Sequence, residues 1–251
     1  MPSPPAKPNE CRLSVIVPVL DEQEQINACL DHLRGQGLRG RREIIVVDGD
    51  PHGGTVALIR DAEVIRLTGA RGRARQMNAG ASVAHGEILL FLHADTRLPD
   101  SALEKISSVM AAGTCVAGAF DLGIDSDRWI LRHIAFRASV RSRISRIPYG
   151  DQAIFIDRTF FEGLGGFAEM PIMEDVDLMR RIKRSNRKIH IFRDKVLTSP
   201  RRWEAEGALY TTLRNQMLML CYYLGVRPET LIKLYKPQKE IRRTQSQSLR
   251  H

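Results

Sequence analysis

From residue 12 the chain alternates between short runs rich in Val and Ile and longer segments with helical spacing. The runs RLSVIVPVL, REIIVVDG, AEVIRLT and EILLFLHAD have the length and composition of buried strands. Between them, helical spacing predicts a helix from Glu22 to about Arg34, with Ile26, Cys29, Leu30 and Leu33 on one face and Gly35 and Gly37 ending it. A later helix begins near Arg71 and runs towards Ala84. Strands that are apolar along their whole length belong to a sheet covered on both faces, so the rhythm predicts an α/β fold with a mostly parallel sheet. Ligands gather at the carboxyl ends of such strands. Asp21 and Glu22 follow the first strand, Asp48 the second and His93-Ala94-Asp95 the fourth, so these residues are expected to converge on one crevice.

After Asp95 the pattern changes. TCVAGAFDL and QAIFIDR read as strands of a mixed sheet, and the basic segment DRWILRHIAFRASVRSRISRIP lies between them. Over 128–147 a period of 3.6 puts Arg128, Arg132, Arg143 and Arg146 on one side and Ile130, Ile134, Val140 and Ile144 elsewhere. That basic amphipathic helix could rest on anionic lipid or present a solvated face. Leu209, Leu213, Met217, Leu220 and Leu224 are spaced as a core-facing stripe on a later helix, to which the same two readings apply. The pattern divides the chain into a proline-rich flexible lead (1–11), one domain (12–235) and a basic tail without packing residues (236–251). Within the domain, 12–98 and 99–203 read as two halves that should bind different ligands, and 204–235 as a helical C-terminal part.

Composition narrows the classes. With 251 residues, 43% of them apolar, the chain can bury a substantial core. The four cysteines form no C-x-x-C pair, so no zinc or disulfide framework is indicated. MLMLCYYLGV is about half of the ~20 residues that a spanning helix needs, and the lead lacks the apolar core of a signal peptide. A cytoplasmic protein is expected, with membrane contact no more than peripheral. The net charge of +9 points to an anionic partner. Nucleic acid is not expected: no nucleic-acid motif is visible, and 6% aromatic residues give little for base stacking.

Five segments, in order, resemble the family-2 glycosyltransferases, inverting sugar transferases of the GT-A fold. Pro18-Val19-Leu20-Asp21-Glu22 is similar to the family's P-x-x-N-E, and Val46 to Thr55 to its V-V-D-x-x-S-x-D-G-T. Arg71 to Gly80 is similar to its G-x-A-x-x-x-N-x-G helix, His93-Ala94-Asp95 to its D-x-D metal motif, and Glu174-Asp175 to its E-D pair. Five such segments at suitable spacing are a specific signal where one would be weak. GRARQMNAG, FLHADT, YGDQAIF, PIMEDVDLMRR and RRWE look closest to small, soluble bacterial members named for arsenosugar biosynthesis, a name that says little about substrate.

The resemblance implies a nucleotide-sugar donor, UDP- or GDP-linked, gripped by Pro18, Leu20, Glu22, Asp48, Arg71, Arg75, Asn78, His93, Ala94 and Asp95. Asp48 would bond the nucleobase, or else cap the next helix. Asp95 would hold a divalent cation, Mn²⁺ or Mg²⁺, on the diphosphate, with His93 as a second ligand or a neighbour of the nucleotide. Arg71, Arg73 and Arg75 stand where a helix begins, which suits phosphate as well as a solvated turn. Asp175, with Glu174 beside it, would deprotonate the acceptor hydroxyl, although carboxylates also favour a helix N-terminus on electrostatic grounds. Gly150, Asp151 and Gln152 would lie beside acceptor and donor sugar, or form a simple turn. Arg202 and Trp203, in a loosely matching R-W element, would close over the diphosphate, or Trp203 would be ordinary core. The acceptor, lipid-linked or otherwise, and the oligomeric state are not encoded in these motifs. Asp21, Gly53 and His93 depart from the family pattern, so a degenerate nucleotide-sugar-binding protein is the alternative, with a basic nucleic-acid module behind it. A sugar-1-phosphate nucleotidyltransferase would need a glycine-rich basic loop after the first strand, which Pro18 to Glu22 is not.

Overall fold

A computed structural model of the chain describes residues 13–36 and 42–235; the lead expected over 1–11 and the tail over 236–251 lie outside them. In chain order the elements are β1 (Leu13–Val19), α1 (Ile26–Gly35), β2 (Arg42–Asp48), β3 (Ile65–Thr68), α2 (Arg73–Val83), β4 (Ile88–Phe91), β5 (Thr96–Arg97), α3 (Ala102–Ala111), β6 (Ala117–Ile124), α4 (Trp129–Ser145), β7 (Ile154–Asp157), α5 (Arg158–Gly163), α6 (Glu174–Arg184), β8 (Ile189–Thr198), α7 (Arg201–Glu206), α8 (Ala208–Tyr223) and α9 (Pro228–Leu231). Short 3₁₀ turns occur at Val56–Leu58, Gly150–Gln152 and Ile232–Leu234.

The strands form one mixed sheet in the order β3-β2-β1-β4-β7-β6-β8-β5. β3, β2, β1 and β4 run parallel to one another, with Val19 opposite Asp48 and Ile16 opposite Phe91. β7 enters antiparallel between β4 and β6, so a single sheet spans both sequence halves. Alternation along β1 explains its continuous apolarity. Leu13, Val15, Val17 and Val19 pack in one core with α1, α3 and α4, while Ile16 packs in a second with α2, α5 and α6. Gly80 of α2 passes so close to β1 that a Cβ there would lie 2.5 Å from Ile16 Cγ2.

α1 begins four residues later than the spacing predicts, after a turn at 23–25. A larger correction concerns α8: Leu209, Leu213, Met217, Leu220 and Leu224 face outward, while Thr211, Arg214 and Leu218 face in. Arg214 can be buried because Glu206 pairs with it at 2.5 Å, on a side chain buried as deeply as its own. α4 is also turned. Leu131, Ala135, Ser139 and Ser142 face inward, and Trp129, Phe136 and Ile144 are exposed. The Ser139 hydroxyl accepts the Leu122 N–H at 2.9 Å, so small polar residues let α4 approach β6 closely. Among the described residues no helix is long and apolar enough to cross a membrane.

Candidate active site

The order in which strands are added reverses between β1 and β4, and a crevice is expected at the carboxyl ends of the strands there. Gln76 of α2, itself buried, donates its amide to Val19 O at 2.7 Å and Val47 O at 2.8 Å, holding the ends of β1 and β2 together. Beside them opens a cavity of about 630 Å³ lined by Leu20, Asp21, Asp50, Thr68, Gly69 and Arg71 among others. A volume in this range accommodates a nucleoside-sized ligand.

Of the residues expected at the donor, Leu20 and Arg71 line this cavity. Pro18 lies within β1 opposite Val47. Asp48 is fully buried: its Oδ2 accepts N–H bonds from Thr55 at 2.7 Å and Val56 at 3.2 Å, and its Oδ1 accepts that of Asp50 at 2.9 Å. Those bonds order the loop after β2, and the acids at the cavity wall are Asp21 and Asp50. The only signal for Asp50 in the sequence is its place two residues beyond a strand end. Asn78 exchanges two bonds with the backbone of Phe167, at 2.8 and 2.9 Å, and thereby ties α2 to the loop before α6. Arg75 forms an exposed ion pair with Glu169 at 3.0 Å.

A second group lies at the end of β4. β5 pairs with β8, and the Ser199 N–H donates to Asp95 O at 3.1 Å, so the start of α7 is delivered to Asp95. Arg201 Nη2 sits 3.4 Å from Glu22 Oε2 and 3.3 Å from Asp95 Oδ2. All three side chains are about a quarter exposed and face the crevice edge. Arg201, rather than Arg202, therefore bridges the two carboxylates. Arg202 stacks over Tyr235 at 5.0 Å, although its charge still reaches His93 and Asp151. Trp203 is half-buried against the core that contains α1 and α4, in line with its core reading. Ala94 is buried.

The third group gathers around Gly150. Its N–H donates to Asp175 Oδ2 at 2.5 Å, and Asp175 Oδ1 accepts the Val176 N–H at 2.7 Å. A Cβ at Gly150 would stand 3.3 Å from both Asp175 Oδ2 and His93 Nε2, so glycine gives the room for this meeting. Burial, reinforced by the Arg73 charge, pushes the His93 imidazole down to about 3, so it is neutral. Burial, and next the Asp175 charge, pushes the Glu174 carboxyl up to about 7, against the pull of Arg73. Burial pushes Asp151 up to about 6, with Arg141 opposing and Asp175 adding to the rise. Asp151 Oδ1 is buried with no hydrogen-bond partner among the described residues. Burial and crowding thus raise Glu174 and Asp151 together towards neutrality, the range in which a carboxyl can take part in proton transfer.

Gln152 supports this turn and is fully buried. Its Oε1 accepts from Ser142 Oγ at 2.7 Å and Tyr149 N–H at 3.1 Å, and its Nε2 donates to Phe120 O at 2.8 Å. Its amide is thus occupied by the scaffold rather than facing a substrate. Arg141 stacks on Tyr149 with its Cζ 3.2 Å from the ring centroid, forming the wall next to Asp151. For a divalent cation, Asp95 offers a partly exposed hard oxygen beside Glu22, which fits Mg²⁺ or Mn²⁺. Among the described residues no third metal-binding side chain joins them.

Residues 14–168 match the family model described as glycosyl transferase family 2. The chain is 28% identical over 116 residues to an undecaprenyl-phosphate 4-deoxy-4-formamido-L-arabinose transferase of Aeromonas hydrophila, covering 42% of this chain and 36% of that protein. It is 29% identical over 115 residues to the glycosyltransferase AglE of Haloferax volcanii, covering 42% and 38%. The chain thus spans somewhat over a third of the length of these curated relatives. Among solved structures, it superposes on the mannosyltransferase PcManGT from Pyrobaculum calidifontis, in complex with GDP-Man and Mn²⁺, with a TM-score of 0.63 at 22% identity, covering 82% of this chain and 62% of that one. It superposes on TarS 1-349 of S. aureus, in complex with UDP-GlcNAc, with a TM-score of 0.59 at 18% identity, covering 75% and 58%. The fold is the one these transferases share.

Proposed function

Because this chain belongs to glycosyl transferase family 2, we propose that it moves a sugar from a UDP- or GDP-linked donor to an acceptor hydroxyl, inverting the anomeric carbon. The observation that carries the reading is the position of Gly150, whose contacts join the strand end bearing His93 and Asp95 to the helix start bearing Asp175. A leaving-group side and a base side thereby meet at one turn.

In this reading Leu20, Asp50 and Arg71 hold the nucleoside, while Asp48 keeps the loop beneath them in shape. A divalent cation held by Asp95 would neutralise the diphosphate as it leaves. Arg201 supplies positive charge at the same edge, and Arg202 and Arg73 add to the field felt by His93. Asp175, fixed by two N–H bonds, takes the proton of the acceptor hydroxyl as that oxygen attacks the anomeric carbon from the face opposite the diphosphate. His93, neutral and wedged against Gly150, positions this turn. Bound GDP-Man and UDP-GlcNAc in the structural neighbours support either donor class. The name of the Aeromonas relative supports a lipid-linked acceptor. GRARQMNAG and RRWE support placement with the small bacterial members named for arsenosugar biosynthesis, without the substrate of that name.

The test is a thermal-shift panel of UDP, GDP, dTDP and CDP, each with and without Mn²⁺ or Mg²⁺. UDP or GDP should stabilise the protein, and more so with the cation, by about 2–3 kcal/mol at a hundredfold excess over Kd. Absence of any nucleotide-dependent shift overturns the reading.

A further inference from the structure

We propose that the outward faces of α4 and α8 form a docking surface for an anionic lipid bilayer. Both helices carry apolar residues on two sides: Leu131 and Leu218 are buried in the core, while a second set of large apolar residues points away from it, unlike the polar outer face of an ordinary amphipathic helix. On α4, Trp129 is 75% and Ile144 79% exposed, and Phe136 lies between them on the same face. Along α8 and the residue that caps it, Leu209, Leu213, Met217, Leu220 and Leu224 form an exposed stripe with Tyr210 and Tyr223 beside it. The two helices are in contact with each other. Exposed apolar surface of this extent on contiguous elements marks an interaction site.

Charge selects the occupant. Neither helix contains an Asp or Glu. Arg132 and Arg137 flank the Trp129–Phe136 stripe on opposite sides, and Arg128 and Arg146 stand exposed at its two ends. The exposed carboxylates nearest in sequence, Asp127, Glu204 and Glu229, lie outside both helices. A second copy of this chain would bring like-charged arginines face to face, whereas anionic headgroups complement them and the aromatic side chains suit the interfacial layer. The surface is also joined to the candidate site. Arg141 of α4 stacks on Tyr149, one residue before Gly150, so the helix that carries this face also supports the Asp175 turn. The docking itself does not depend on the proposed transfer.

The full chain is sedimented with vesicles of phosphatidylcholine alone and with vesicles containing phosphatidylglycerol. Binding is expected with the anionic vesicles, with a blue shift of tryptophan emission that Trp129→Phe abolishes and that leaves Trp203 unaffected. Arg132→Gln with Arg137→Gln should weaken binding by about fivefold per arginine, and Leu213→Ser with Leu220→Ser should weaken it further while thermal stability is kept. No binding of the unmodified chain overturns the proposal. So does equal binding of these variants, which would assign attachment to the basic residues of 236–251 instead. Loss of a dimer in sedimentation velocity, with vesicle binding unchanged, would assign the face to a second copy and also overturn it.

Discussion

The Gly150 amide and the Asp175 carboxylate are 2.5 Å apart, so a turn between α4 and β7 fixes the rotamer of an acid that opens α6. An asparagine at 175 keeps the Gly150 bond through its amide oxygen and gives up only the Val176 bond, whose donor lies in the first turn of α6, where N–H groups have no partner within the helix. Asp175→Asn should therefore fold normally and keep its nucleotide-dependent thermal shift, yet lose roughly 10²–10⁴-fold in transfer rate, the usual worth of a positioned base. Retention of near-native turnover in a sugar-transfer assay would remove Asp175 from the base role.

Glu174 should govern how stability depends on pH. Its carboxyl rises from an ordinary 4.5 to about 7 in the fold, so the folded state holds a proton that the unfolded chain releases. The stabilisation is complete below pH 4.5 and is lost as pH rises through 7. Asp151, raised from 3.8 to about 6, adds a similar loss over a lower window. Glu174→Gln should remove the upper part of this decline and be more stable than the parent at pH 8, by an amount on the order of 2–3 kcal/mol. Thermal denaturation from pH 5 to 8.5 measures it; parallel curves for the two proteins would contradict the assignment.

Gln152 is a positioning residue. Gln152→Leu fills the same space but leaves the Phe120 carbonyl and the Tyr149 N–H without their partner, at a cost of roughly 2–4 kcal/mol. Because its bonds hold the Tyr149–Gly150 turn, kcat should fall in the variant while nucleotide affinity changes little. Chemical denaturation and a KM-against-kcat comparison separate this from direct substrate contact, which would raise KM.

Arg201 lies between Glu22 and Asp95 and competes with any cation for them. Partly exposed ion pairs contribute little to stability, about 0–1 kcal/mol. Arg201→Gln should therefore melt close to the parent, show a larger thermal shift with Mn²⁺ alone, and show a smaller one with a nucleoside diphosphate. Unchanged responses to both would place Arg201 outside the diphosphate site.

Legibility in the sequence followed the physics of each element. The Val/Ile runs of β1, β2 and β4 were readable because burial on both faces leaves no polar position inside them. β5, with two residues, is below any periodicity, and β8 carries Arg193, Asp194 and Lys195 at a register shift against β6 that interrupts its alternation. The helical period of α4 and α8 was also readable, but a period does not say which face meets the core. There, Ser139 bonding and the Arg214–Glu206 pair decided it. At the site, Glu174, Asp175, His93 and Asp95 could be placed because short segments bring them to strand and helix ends. Asp48, Asn78 and Gln152 sit within the same segments, but their polar groups are bonded to backbone. The shift from Arg202 to Arg201 depends on where α7 begins, which a single residue of register controls.

The antiparallel entry of β7 beside β4 bears on how this protein can be divided. A fragment ending near residue 98 would keep β1 to β4, yet would expose the β4 edge that Ile154–Asp157 normally covers. An uncovered apolar edge of that kind recruits other chains. The two halves read from the sequence are therefore interdependent in folding: β7 is the seal that keeps the sheet of β1 to β4 from aggregating.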